Sequence, residues 1–139
     1  MKQVFIILTI LGITVSALAL REHYRTEGDS PCSINDHWDC GIVNHSPYAM
    51  IAGIPVAVLG IVGYLLMGAL AWRRSYRLLL AAALAGLVFS LYLAHIEKDI
   101  LGVWCIYCVI SLSDVSLITL LALGTTLATF RRPMIAPNP

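Results

Sequence analysis

The chain has 139 residues, of which 59% are hydrophobic and only 12% are charged, and its formal net charge is +1. Soluble domains carry about 25% charged residues, so this composition, with a mean hydropathy of +0.83, indicates a membrane protein. The small net charge and the absence of any long basic run exclude an electrostatic case for nucleic-acid binding. The length fits one domain covering residues 1–139.

Four long stretches are almost free of Asp, Glu, Lys and Arg, and Asp114 is the one such residue inside them. A helix needs about 20 apolar residues to cross a bilayer. The sequence therefore predicts an all-α integral membrane protein, a bundle of four transmembrane helices. The predicted spans cover residues 4–20, 55–72, 78–96 and 103–130.

The first two spans are separated by a polar outer loop, residues 21–52, which contains two of the four cysteines, Cys32 and Cys40. Gly-Asp-Ser-Pro at residues 28–31 breaks any helix that continues from the first span. Pro47 suits the first turn of a helix, and a Gly-Ile-Pro break follows at residues 53–55. We therefore expect a short half-helix on the outer surface, from Pro47 to about Ala52.

Basic residues define the orientation, because cytoplasmic loops carry the excess of Lys and Arg. Three basic residues, Arg21, Arg25 and Lys98, fall on the opposite side from the other six. The larger group, which faces the cytoplasm, consists of Lys2, Arg73, Arg74, Arg77, Arg131 and Arg132. This predicts a protein of the cytoplasmic membrane with both termini inside and all four cysteines at the extracytoplasmic face, where disulfides persist.

The first span also resembles a secretory signal, with Ala17-Leu18-Ala19 as its cleavage site. Against cleavage, the apolar run is longer than the core of a usual signal peptide, and three remaining spans would make a thin bundle. Cleavage would leave the orientation of the other helices unchanged, and the alternative stays open.

The second cysteine pair, Cys105 and Cys108, forms a C-x-x-C motif where the fourth span begins. A helix N-terminus stabilises a thiolate, which is the reactive form of cysteine. From Cys105 to Phe130 the helix is roughly 37 Å long at 1.5 Å per residue, against a hydrocarbon core of about 30 Å. The motif is therefore expected at the outer membrane boundary, within reach of both water and lipid.

Two other interpretations of the cysteines are open. They could form structural disulfides that link the outer ends of the helices. Closing a loop of the size of residues 32–40, however, stabilises the folded state by only about 2.5 kcal/mol in the chain-entropy model. They could bind zinc as four thiolates, with His37 or His45 nearby. Zinc sites usually draw on two closely spaced pairs, and here only one pair is closely spaced. Redox chemistry is the favoured interpretation.

The order of these motifs resembles the vitamin K epoxide reductase family over nearly the whole chain. Cys32 and Cys40 come first, and a Gly-Ile-Pro…Gly…Tyr stretch and Ser90-x-Tyr92-Leu-Ala precede the Trp-Cys-Ile-Tyr-Cys motif. The resemblance is to a prokaryotic type without a fused thioredoxin-like domain. The other four-helix, quinone-linked family of disulfide generators has the two cysteine pairs in the reverse order.

The resemblance implies a membrane thiol:quinone oxidoreductase that generates disulfide bonds. Electrons would pass from a separate extracytoplasmic thioredoxin-like protein through Cys32 and Cys40 to Cys105 and then Cys108, which faces a bound quinone. Ser46 and Tyr92, with Cys108, are predicted to contact that quinone. No metal is expected in the site.

Two departures from the animal members concern the substrate. Leu112 stands four residues after Cys108, where those members have a quinone-contacting tyrosine, and the tail lacks their basic ending. Both favour an ordinary membrane quinone, of ubiquinone or menaquinone type, over vitamin K epoxide. The rival from another class is a non-catalytic four-span protein with structural disulfides or zinc.

Two ionisable residues remain. An acid inside a span indicates function by default, but the favoured interpretation of Asp114 is an acid hydrogen-bonded to Ser111 or to a neighbouring helix rather than a proton-handling residue. His95 is interpreted as an interfacial residue rather than as a proton donor.

Overall fold

In the computed structural model the chain is described over residues 1–24 and 37–135, with side chains as far as residue 131. Five α-helices, a 3-10 turn, a two-stranded hairpin and a π-helical turn follow one another over these residues. In chain order they are α1 (Lys2–Tyr24), α2 (Cys40–His45), the 3-10 turn (Pro47–Ala49), β1 (Met50–Ile51), β2 (Ile54–Pro55), α3 (Val56–Trp72), α4 (Tyr76–His95), the π turn (Ile96–Leu101) and α5 (Ile106–Ile135).

Three of the helical segments are long and apolar enough to cross a membrane, and α3 is a shorter apolar helix of 17 residues. Large hydrophobic side chains such as Ile7, Leu65, Val88 and Leu120 point outward on all four long helices. An outward apolar surface of this kind is stable in lipid and not in water. The protein is therefore an all-α membrane protein, as the composition predicts.

The four long helices form a ring in which α1 packs on α3 and α5, and α4 packs on α3 and α5. Small residues allow the close approach of α1 and α3, as is common between membrane helices. Gly60 lies against Ser16, and Gly68 lies against Thr9. Gly12 leaves the space that the Tyr64 ring fills, so that a Cβ atom at residue 12 would overlap the ring.

Two separate groups of buried residues result. The membrane-interior cluster joins α1, α3, α4 and α5, and consists of Phe5, Tyr64, Met67, Ala71, Leu79, Ala83, Val115, Ile118 and Ala122. The second group, called the outer cluster, lies where α2 meets the start of α5, and consists of Cys40, Val43, Val103 and Cys105.

The predicted half-helix between Pro47 and Ala52 is not confirmed. Only the 3-10 turn Pro47–Ala49 is helical, and the chain then forms the tight hairpin of β1 and β2. Ala52 and Gly53 at its tip both have positive φ, 52° and 80°. That pair of left-handed residues is the pattern of a two-residue hairpin turn, and it does not continue a helix.

The connection between the third and fourth predicted spans, residues 97–102, is not a simple loop. Helix α4 continues directly into the π turn, which ends at Gly102 with a φ of 70°, a left-handed conformation that suits glycine. Helix α5 then begins at Ile106, so that Cys105 precedes the helix and Cys108 lies in its first turn. The predictions for Cys32 and Arg25 lie outside the described residues.

Candidate functional site

Helix α2 carries Cys40 and is fixed to the segment before α5 by backbone hydrogen bonds. The Asp39 N–H donates to the Trp104 carbonyl at 3.0 Å, and the Trp104 N–H donates to the His37 carbonyl at 2.7 Å. Asp39 also caps α2, since its carboxylate accepts a hydrogen bond from the Ile42 N–H at 3.2 Å. The loop cysteine is thereby held at the start of the C-x-x-C motif.

The central contact of the site joins the two cysteine pairs. The sulfurs of Cys105 and Cys40 are 3.2 Å apart, and both residues are fully buried. Cys40 is disulfide-bonded, whereas Cys105 and Cys108 carry free thiols. A free sulfur in direct contact with a disulfide sulfur is the arrangement that thiol–disulfide exchange requires.

Cys105 has an environment that favours its thiolate. It occupies the N-cap position of α5, where its carbonyl accepts the first helical hydrogen bond, from the Val109 N–H at 3.0 Å. The hydrogen bond from the Cys108 thiol lowers the pKa of Cys105, and the backbone N–H groups of Cys108 and Tyr107 add to this, against the opposing effects of burial and of Glu97. Cys105 is therefore the sulfur suited to attack Cys40.

Asn44 lies one turn after Cys40 on the same face of α2 and touches both sulfur-bearing segments. Its side-chain amide donates to the Cys40 carbonyl at 2.9 Å and to the Cys105 sulfur at 3.6 Å. Its own backbone carbonyl accepts a hydrogen bond from the His23 Nδ1–H at 2.6 Å, which ties α2 to the end of α1. Asn44 thus supplies a donor to a negatively charged sulfur on Cys105.

Glu97, in the π turn, is a buried acid with only 2% of its surface exposed. One carboxylate oxygen, Oε2, accepts a hydrogen bond from the Cys105 backbone N–H at 3.1 Å. The other, Oε1, is buried without a hydrogen-bond partner among the described residues. The carboxyl group is also close enough to the Cys108 thiol to interact with it.

A cavity of about 150 Å³ opens among α1, α3, α4 and α5 below this cluster. Its wall is mostly apolar, and Cys108 contributes the one cysteine side chain among its described lining residues. An apolar cavity of about 150 Å³ accommodates a benzene-sized ring. The polar lining side chains that could hold the oxygens of a quinone ring are Ser16, Asn44, Ser46, Tyr48, Tyr64, Ser90, Glu97, Tyr107 and Ser111.

The inner wall of the cavity contains a polar pair. The Tyr64 hydroxyl lies 2.8 Å from the Ser111 hydroxyl and donates to the Ser111 carbonyl at 3.0 Å. The hydrogen bond between Ser111 and Asp114 that the sequence suggests is not formed. Asp114 is buried, and neither of its carboxylate oxygens has a hydrogen-bond partner within residues 1–24 and 37–131.

The structure brings most of the predicted site residues together, but not all of them. Ser46 lines the cavity, with its hydroxyl donating to the Val43 carbonyl at 2.8 Å. Tyr92 does not line it: the side chain is 51% exposed and lies against Phe89, on the outer side of α4. His95 is also exposed and forms an ion-pair contact of 2.7 Å with Asp99. The prediction for Cys32 falls outside the described residues.

Sequence reasoning missed Glu97 and Asn44. Glu97 is one of three consecutive charged residues between the third and fourth predicted spans, and nothing in that pattern distinguishes it from its neighbours. Asn44 stands four residues after Cys40, a spacing that places two residues on one helix face, but α2 itself was not predicted. Within the described residues, no group of three or more His, Cys, Asp or Glu side chains is arranged to hold a metal ion.

The fold and the site together define a helical membrane protein whose dithiol joins a buried disulfide on one side and an apolar cavity on the other. A family model described as "Vitamin K epoxide reductase family" matches residues 3–125. The chain belongs to that family, as the order of its motifs predicts, and it is a membrane redox enzyme of a class that uses quinones. No match was found among the curated proteins.

Proposed function

We propose that this protein is a membrane thiol:quinone oxidoreductase that generates disulfide bonds in extracytoplasmic proteins. The observation that carries the proposal is the 3.2 Å contact between the Cys105 and Cys40 sulfurs, with Cys108 of the same motif lining the apolar cavity. One cysteine of the C-x-x-C motif faces a thiol partner, and the other faces the space for an electron acceptor.

The thiol side works by exchange within the chain. A thioredoxin-like protein with two thiols reduces the disulfide of Cys32 and Cys40, with Cys32 as the point of entry. Cys40 and Cys105 then exchange through a transient disulfide between them. Exchange is reversible and requires one sulfur to approach another along the bond that breaks, so the observed contact serves both directions.

On the acceptor side, the residues form a pocket that fits a quinone ring. The apolar wall excludes water, Cys108 presents its sulfur, and the Tyr64–Ser111 pair offers hydroxyl groups at the inner end. Closure of the Cys105–Cys108 disulfide releases two electrons and two protons, and a quinone bound here takes up both. The substitution of Leu112 for the tyrosine of animal members favours an ordinary membrane quinone.

The last part of the proposal is the orientation of the protein in the membrane. By their order along the chain, the basic residues at the described helix ends lie on the side opposite the cysteines. They are Lys2, Arg73, Arg74, Arg77 and Arg131. In the cytoplasmic membrane this orientation places the cysteine cluster at the extracytoplasmic face. Substrate proteins acquire their disulfides on that side.

The test is turnover in detergent with reduced thioredoxin as the thiol donor and a short-chain ubiquinone as the acceptor, followed by quinone absorbance. We expect turnover in the wild-type protein and none in Cys108→Ala. Ser113→Ala is the matched control, because Ser113 lies on the same helix but is exposed and bonds only to the Val109 carbonyl.

A second arm separates this proposal from a structural role of the cysteines. Cys40→Ser is expected to lose turnover driven by thioredoxin while keeping part of the turnover driven by dithiothreitol, which can attack the Cys105–Cys108 disulfide at the half-buried Cys108 sulfur. Absence of turnover in the wild-type protein, together with one bound zinc per chain, would instead establish the non-catalytic alternative.

A further inference from the structure

The acid beside the C-x-x-C motif has an unusual set of contacts. Glu97 is 2% exposed, and it forms no ion pair with any cation in the described part of the chain, where its neighbour Lys98 is exposed. Oε2 accepts a hydrogen bond from the Cys105 N–H, and Oε1 is buried without a hydrogen-bond partner among the described residues. A charged carboxylate without a cation is costly in such a place, so this carboxylate readily takes up a proton, which removes its charge.

The Cys108 thiol lies near enough to supply that proton. Glu97 and Cys108 both line the apolar cavity, and the carboxyl group is within interaction range of the Cys108 thiol. The hydrogen bond through Oε2 orients the carboxyl group from the other side. One carboxyl oxygen is therefore held by the backbone of the motif, while the carboxyl group stays within interaction range of the reacting sulfur.

We propose that Glu97 is the proton-transfer residue of the Cys108 half of the reaction. Its carboxyl group takes the proton from the Cys108 thiol as that sulfur becomes a nucleophile, and gives it to an oxygen of the bound quinone. This inference rests on the proposed function and adds a residue to it.

The reaction balances with Glu97 in this role. Cys105 enters as a thiolate and Cys108 as a thiol, and an S–S bond forms between them while two electrons pass to the quinone. Of the two protons that the quinone oxygens take up, one comes from Cys108 through Glu97. The other equals the proton that Cys105 released to water when it ionised, and it returns from water at the outer boundary. Glu97 finishes in the protonation state in which it began.

Three variants separate a proton-transfer role of Glu97 from a purely structural role. The amide oxygen of Gln can accept the Cys105 N–H in the same place, and the two side chains have nearly the same volume. Glu97→Gln therefore keeps the anchoring bond and removes only the transferable proton. Glu97→Asp keeps the carboxyl group on a shorter side chain, and Asp99→Asn removes an exposed acid two residues away as the matched control.

Two measurements on the full-length protein in detergent test the proposal. The first is thioredoxin-driven reduction of a short-chain ubiquinone. We expect Glu97→Gln to lower it by about 100-fold, within the range of general acid–base catalysis, Glu97→Asp to retain more activity than Glu97→Gln, and Asp99→Asn to match the wild type.

The second measurement uses no quinone: the rate of N-ethylmaleimide modification at Cys108, read by peptide mass spectrometry. Removal of a neighbouring negative charge favours a thiolate, so Glu97→Gln should modify Cys108 at the wild-type rate or faster. Fast modification combined with slow quinone reduction is the expected signature. A collapsed site would slow both.

Wild-type turnover in Glu97→Gln would overturn the proposal, as would equal losses of turnover and of Cys108 modification in both Glu97 variants. The proposed function is tested separately by the wild-type protein: if it does not reduce the quinone, that function fails before any Glu97 variant is compared.

Discussion

The two ends of the bundle are held together in different ways. The membrane-interior cluster is packed from apolar and small side chains on straight helices, with Gly12 giving room to Tyr64. The outer cluster is built from short and irregular segments, which are joined by backbone bonds to Trp104, by the Asn44 and Glu97 side chains, and by sulfur contacts. Regular packing provides the scaffold, and irregular backbone brings polar groups to the reacting sulfurs.

This difference predicts different effects of substitutions at the two ends. Outer substitutions should lower the activity with little loss of stability, and inner substitutions should lower the stability first.

The largest effect is expected for Cys105→Ser. An alcohol of nearly the same size fills the buried position but cannot exchange with Cys40 or close a disulfide with Cys108. Thioredoxin-driven quinone reduction should fall by more than about 1,000-fold, since covalent transfer is lost, while the melting temperature in detergent stays close to that of the wild type. A melting temperature that falls as steeply as in an inner-core variant would contradict the division.

The inner end is probed by Gly12→Ala. The added methyl group overlaps the Tyr64 ring, and overpacking of a tight core typically costs about 1–3 kcal/mol. The midpoint of denaturation in detergent should fall by that amount. Gly124→Ala is the control, because a Cβ atom there meets nothing within 4 Å. Equal midpoints for the two variants would show that the α1–α3 contact is looser than described.

A smaller effect is expected where α2 begins. Asp39→Ala removes the N-cap acceptor for the Ile42 N–H, and loss of a cap costs about 1 kcal/mol. Part of that loss should appear as slower Cys40–Cys105 exchange, measured as the rate at which reduced thioredoxin reduces the Cys105–Cys108 disulfide. Asp39→Asn keeps an acceptor at the same place and should behave almost as the wild type does. An exchange rate unchanged in Asp39→Ala would show that the backbone bonds to Trp104 suffice.

The smallest expected effect is a change in the pKa of Cys105, a residue that the substitution leaves in place. The Cys108 thiol lowers the pKa of Cys105 by hydrogen bonding, so in wild-type protein the Cys105 thiolate forms at lower pH than an ordinary thiol does. Cys108→Ala removes that donor, and the midpoint of thiolate formation should move to higher pH. Thiolate ultraviolet absorbance in the absence of quinone measures it. A midpoint that moves down would contradict the assignment of Cys105 as the stabilised thiolate.

The sequence was most informative for features that depend on composition over many residues. Exclusion of charge along about 20 residues is required in a bilayer, so the long helices were predicted within a few residues of their observed ends. Helix α1 extends further than predicted, because Arg21 to Tyr24 continue the helix beyond the apolar run. The order of the cysteine pairs was sufficient to identify the family.

Short-range features were less predictable because tertiary contacts determine them. Helix α2 has only six residues and is stabilised by Asp39 and by bonds to Trp104 that are distant in sequence. The hairpin tip requires a left-handed Ala52, which alanine rarely adopts. Glu97 is turned inward by a π-helical turn, a rare conformation that hydrophobic periodicity does not reveal.

The complete burial of the Cys40 and Cys105 sulfurs has a consequence for redox selectivity. A small thiol in the surroundings cannot reach this junction directly, whereas the two sulfurs are held together at an effective concentration far above that of any dissolved thiol. Electrons are thus exchanged with the surroundings only at the two ends of the pathway. Dissolved thiols therefore do not exchange electrons with the Cys40–Cys105 junction, and the electrons of the donor reach the acceptor.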